Sequence, residues 1–165
     1  MVDVTVQPLG ADDATAYNAF FSKGAEQHPD TLRISPADVA ATPFTTRESD
    51  EGVTLVARDA QGIWLGVVTV EREAGREKRR HLAWILRMYV TSERAGRGVG
   101  RALLGAALER ARQIPGVAKV NLTVAEQNER AVRLYESVGF RAFAREVDAF
   151  RDSAPRTELT MTLPL

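Results

Sequence analysis

Between an apolar run, Leu82 to Val90, and a helical stretch that begins near Val99, residues 91–104 read TSERAGRGVGRALL, with Gly96, Gly98 and Gly100 at every second position. A strand that enters a helix through so bare a turn constrains the fold more than any other segment. Glycine has no Cβ, so successive amides in the turn can face one anion, and the following helix adds the positive end of its dipole. The guest suited to that geometry is a phosphate or pyrophosphate. A tight connection without a ligand is the other reading of the same residues.

Spacing separates the loop types that bind such groups. A dinucleotide fingerprint requires G-x-G-x-x-G, yet Arg101 and Leu103 stand at the third glycine position in the two available registers. A nucleoside-triphosphate loop ends in Gly-Lys-Ser/Thr, whereas Gly100 is followed by Arg101 and Ala102. The stretch instead resembles the acetyl-CoA pyrophosphate loop of the GNAT acetyltransferase superfamily, R/Q-x-x-G-x-G/A, with Gly98 and Gly100 as its glycines. It departs from that pattern at the first position, Ala95, with Arg94 one residue early. A second segment, VNLTVAEQNERAVRLYESVGF (residues 120–140), resembles the later part of the same superfamily through Asn128, Tyr135, Gly139 and Phe140. Asn128 and Tyr135 lie about two helical turns apart and so share one face of a helix that Asn128 can cap. The same spacing suits a helix that packs Ala131, Leu134, Tyr135 and Val138 inward and is closed by Gly139.

The 165 residues, 44% of them hydrophobic, fit a single domain spanning 1–165. Lys plus Arg and Asp plus Glu both total 22, which gives no global field toward nucleic acid or an anionic membrane. With no cysteine and only His28 and His81 for imidazole, no metal site is expected. The start, MVDVTVQPLG, lacks the charge and apolar pattern of a signal peptide, and no apolar run approaches the ~18 residues of a membrane span, so a cytoplasmic protein is expected.

Along the chain, Val2 to Pro8 reads as a strand, Asp12 or Asp13 starts a helix toward Glu26, and Ser35-Pro36 opens a short helix. Val53 to Arg58 and Ile63 to Arg72 form a hairpin, and Leu82 to Val90 the next strand. Val99 to Arg112 is a long helix. Val117 to Val124 can then join the sheet only by a parallel crossover. Phe140 to Phe150 and Glu158 to Leu163 close the chain as two strands. Patterning alone gives α/β or α+β; the resemblance implies the GNAT-like mixed, mostly antiparallel sheet with splayed central strands flanked by helices.

The resemblance further implies an acetyl-CoA-dependent N-acetyltransferase, with acetyl-CoA as co-substrate and a primary amine of a small molecule or a protein as acceptor. Pantetheine would pair with the strand edge at Met88, Tyr89 and Val90, imitating strand addition. A backbone N–H there would meet the oxyanion. Gly96, Arg97, Gly98, Val99, Gly100 and Arg101 would hold the pyrophosphate, Asn128 the pantetheine chain. Tyr135 would be the general acid, since a phenol with a reference pKa of ~10 stays protonated at neutral pH. The general base stays open: LAWILRMYV and VNLTV contain no carboxylate, which leaves a water chain to Glu126, Glu71 or Glu73, or an amine already partly neutral. A noncatalytic acyl-CoA-binding or sensing domain is the alternative. The basic run Arg76 to Arg80 reads as a solvated turn or as an attractor of anions, and Trp64 and Trp84 as core or pocket walls. A homodimer, by exchange at a sheet edge or at the C-terminal strands, is compatible with this arrangement.

Overall fold

Glycine and proline divide the chain into short apolar segments, and the strands among them join edge to edge in one sheet. The computed structural model describes residues 3–165. The elements are β1 (Thr5–Pro8), α1 (Ala14–Gln27), α2 (Pro36–Ala41), β2 (Gly52–Arg58), β3 (Trp64–Arg72), β4 (Leu82–Val90), α3 (Val99–Gln113), β5 (Lys119–Ala125), α4 (Glu129–Ser137), β6 (Arg141–Arg151) and β7 (Pro155–Pro164). Val2, expected in the first strand, lies outside the described residues. The other expected elements form within a few residues of their expected limits. The loop before α2 stops at Ser35, whose hydroxyl accepts the Asp38 N–H at 3.1 Å while the Asp38 carboxylate accepts the Ser35 N–H at 2.8 Å.

The seven strands run in the order β1-β2-β3-β4-β5-β7-β6. Every neighbouring pair is antiparallel except β4 and β5, which are parallel. This is the mixed, mostly antiparallel sheet that the family resemblance implies. Its period-2 alternation feeds two apolar clusters. One unites α3 and α4 with Val53, Leu55, Val68, Ile85 and Leu122; the other packs Tyr17 and Phe21 of α1 and Val39 of α2 on Val56, Val67 and Tyr89. Among the described residues no helix is long and apolar enough to cross a membrane.

Two departures from regular sheet geometry position the site. First, Val67 pairs with Tyr89 but Thr69 pairs with Leu86, so Val68 faces two β4 residues, Arg87 and Met88. That is a β-bulge, and Arg87 takes φ +50° within it. Second, β5 pairs with β4 only from Leu82 opposite Lys119 to Trp84 opposite Asn121. Beyond Trp84 the strands part, while β5 stays paired with β7 as far as Ala125 opposite Glu158.

Candidate active site

The parted strands open a cavity of about 800 Å³. Its wall carries Met88, Tyr89 and Val90 from β4, Thr123 to Ala125 from β5, Asn128, Arg130, Ala131, Leu134 and Tyr135 from α4 and the segment before it, and Gly96, Gly98, Gly100 and Arg101 at the mouth. Thr31 to Ile34, between α1 and α2, close the opposite side. Of the residues expected at the site, two stand off this lining: Arg97 is exposed, and the Val99 side chain is buried in the core against the sheet. Their contribution to an anion site can come only from their main chain or from solvent-facing charge.

The mouth is a helix start stripped of side chains. Gly96 and Gly98 hold φ +79° and +86°, the left-handed region, and a Cβ at Gly98 would project into open space. No side chain caps α3, and its first backbone bond outside the regular ladder is the Ala102 N–H to the Gly98 carbonyl at 3.0 Å. The amides of Val99, Gly100 and Arg101 precede that bond and have no carbonyl within the helix to meet. At Gly100 a Cβ would come 3.3 Å from Leu134 Cδ2 and 3.5 Å from Met88 Cε, so the bare backbone brings the helix start against the cleft wall.

Charge gathers along the cleft too. The lining holds Arg33, Arg87, Arg101 and Arg130 against one carboxylate, Glu158, in a chain whose net charge is zero. Arg101 donates to the Ser137 hydroxyl at 2.9 Å, which ties the start of α3 to the end of α4. Arg130 leans toward the loop, its Nη1 3.8 Å from where a Gly96 Cβ would stand. Sequence reasoning missed Arg130, although a cation in the first turn of a helix opposes the dipole and signals a nearby anion. The free amides and the charges of Arg101 and Arg130 fit a pyrophosphate, and the unpaired β4 edge fits a chain that carries amides.

Asn128 caps α4 through Oδ1, which accepts the Ala131 N–H at 3.3 Å. Seven residues on, Tyr135 is buried, meets Phe140 edge to face at 5.9 Å, and directs its hydroxyl to Met88 Sδ at 3.5 Å. Burial pushes its phenol up to about 12. Thioether sulfur is a weak acceptor, so the proton remains available to a better one in the cleft.

The carboxylates considered from the sequence lie elsewhere. Glu126 is paired with Arg145 at 2.8 Å, and Glu71 and Glu73 line a separate cavity. Glu158, on β7, is the one that enters the cleft. It is buried, and its Oε1 accepts from Arg33 at 3.0 Å across 125 residues of chain. Its strand alternates Glu158, Thr160 and Thr162 with Leu159, Met161 and Leu163, which reads as an ordinary solvent-facing edge.

A sheet opened between two parallel strands, with a glycine-lined helix start at the mouth, forms a cleft whose entrance suits a phosphate-bearing group. Residues 16–140 match the model of the acetyltransferase (GNAT) family, and the chain belongs to that family. It is 33% identical over 140 residues to a mycothiol acetyltransferase of Clavibacter michiganensis subsp. michiganensis, a match that covers 83% of this chain and 42% of the relative. The chain thus spans less than half the length of that protein. Among solved structures it is similar to a GCN5-related N-acetyltransferase from Kribbella flavida, with a TM-score of 0.81 at 26% identity and 98% of each chain covered. It has the same fold as a phosphinothricin acetyltransferase from Sinorhizobium meliloti in complex with acetyl-CoA, at TM-score 0.81 and 20% identity, covering 98% of this chain and 88% of the other.

Proposed function

We propose that the protein is an acetyl-CoA-dependent N-acetyltransferase that moves the acetyl group to a primary amine by direct attack. The observation that carries this reading is the juxtaposition of the Tyr135 hydroxyl with Met88 at the parted edge of β4, in the cleft that the glycine loop closes. The bound donor supplies an acetyl carbonyl activated as a thioester. The amides of residues 97–101, with Arg101 and Arg130, hold its pyrophosphate; the Asn128 side-chain amide and the β4 edge at Met88, Tyr89 and Val90 hold its pantetheine. A β4 amide beside the bulge polarises the carbonyl oxygen. Glu158 takes the role that no carboxylate on β4 or β5 can fill, accepting the amine proton as nitrogen attacks the carbonyl carbon. As the carbon–sulfur bond breaks, Tyr135 gives its proton to the sulfur.

Relatives named for mycothiol support a small-molecule acceptor, although a protein amino group fits the same chemistry. One observation favours a noncatalytic acyl-CoA sensor instead: Glu158 is already engaged by Arg33. Release of CoA across a panel of amines, with acetyl-CoA binding measured in parallel, separates the two. Turnover with any amine supports the transferase, and tight binding without turnover on every amine sinks it. Glu158→Gln is expected to lower kcat by at least about 100-fold, the ordinary range for a general base, with little change in acetyl-CoA affinity.

A further inference from the structure

A second cavity, of about 970 Å³, lies on the α1–α2 face of the sheet between residues 43–54 and the turn joining β3 to β4. It meets the donor cleft at one residue, Arg87, which lines both. We propose that this cavity receives the acceptor and that Arg87 anchors an anionic group, carboxylate or phosphate, on the amine substrate. The proposal rests on the acetyltransferase reading above and adds the chemical class of its acceptor.

Four observations carry it. Arg87 holds φ +50°, a strained conformation for a residue other than glycine that persists where the surroundings enforce it. The bulge that imposes it sits beside Met88, the residue reached by the Tyr135 hydroxyl, so an anion held by Arg87 is tethered next to the reacting end of the cleft. The side chain is also fixed in advance: Nε donates to the Tyr17 hydroxyl at 3.1 Å, and the guanidinium lies 4.1 Å from the centre of the Phe44 ring. A planar fork held by one edge and one face leaves its terminal nitrogens to a bidentate anion, at little further cost in side-chain entropy.

Finally, Arg87 makes no ion pair among the described residues, although the cavity contains carboxylates. Glu51 is taken by Arg72 and Arg80, and Glu73 by Arg79. Glu71, in electrostatic range of the Tyr17 hydroxyl, stands on the same face and is exposed. Neither Glu71 nor Glu77, which also lines the cavity, lies within ion-pair distance of Arg87, so the half-buried guanidinium is open to an anionic ligand.

The Nε–H bond to Tyr17 makes the Arg87 side chain observable by NMR in the intact protein. Titrations with β-alanine, O-phosphoethanolamine and ethanolamine provide a carboxylate, a phosphate and no anion on comparable amines. At least one anionic probe is expected to move the Arg87 Nε–H signal, and ethanolamine to leave it in place; the probe that moves it identifies the anion. Arg87→Gln is expected to weaken binding of that probe by about tenfold or more, the loss of a charged hydrogen-bonded contact, with acetyl-CoA affinity within about twofold of wild type. An unmoved signal with both anionic probes, or equal binding of the anionic probe to Arg87→Gln, overturns the proposal. None of these readings requires turnover, so failure of the transferase reading, seen as no CoA release with any amine, is a separate result.

Discussion

At the scale of single residues, the family resemblance singled out Tyr135 and Asn128, helix periodicity put both on one face, and both line the cleft. Glu158, Arg87 and Arg130 were not legible in the sequence. Glu158 meets the cleft only because β7 returns beside β5 and Arg33 crosses from the α1–α2 loop, a contact between residues 125 apart. Nothing in LAWILRMYV marks Arg87 for positive φ. For Tyr135→Phe, kcat is expected to fall by about 100-fold or more, with acetyl-CoA affinity by calorimetry almost unchanged; equal turnover would remove the phenol from the mechanism. Glu73 carries a different expectation. Its carboxylate accepts from Arg79 and, at 2.8 Å, from the Trp84 indole, and these bonds hold it near pKa 2, below its usual 4.5. A depressed carboxylate stabilises the fold above its unfolded pKa and loses that contribution as pH falls through the folded one. The stability gap between wild type and Glu73→Gln, measured by urea denaturation, should therefore be constant above about pH 5 and shrink toward pH 2.

At the scale of elements, strands and helices were readable where Gly62, Pro115-Gly116 and Gly139 punctuate the pattern. The β4 bulge and the limit of β4–β5 pairing were not readable from residue type, because both are relations between strands; only the family resemblance suggested the parting. Gly66 shows how closely the elements fit around them. A Cβ there would stand 2.8 Å from the Tyr89 carbonyl oxygen and 2.9 Å from Leu103 Cδ1, with backbone on one side and a packed α3 side chain on the other. Gly66→Ala is expected to destabilise the protein by about 1–3 kcal/mol, the usual penalty for overpacking, and to weaken acetyl-CoA binding because β4 must shift. Retained stability in guanidinium denaturation would show that β4 yields freely. Arg72 works across elements in another way. Buried at the end of β3, it donates to Glu51 at 2.7 Å, to the Arg80 carbonyl and to the Pro115 carbonyl at 2.6 Å, so it joins three connections at one end of the sheet.

At the scale of the whole molecule, the sheet has two halves, β1 to β4 and β5 to β7, joined by a short parallel zip at Leu82 to Trp84. A donor that fills the gap binds only the folded state. Acetyl-CoA at about 100 times its Kd should therefore add roughly 2.7 kcal/mol of stability, seen as a rise in Tm of about 5–11 °C for a chain of this size. No shift at saturation would mean that the gap does not take the donor. The parting also bears on descent. Because the opening is drawn by main chain, through a bulge, a shortened pairing and a bare helix start, few side chains have to be kept for its shape to persist. Chains that share only a fifth of their residues with this one still superimpose on nearly its whole length. A fold drawn this way can hold its opening while the side chains around it change, and if Arg87 meets the acceptor as proposed, it is among the residues free to change with the substrate.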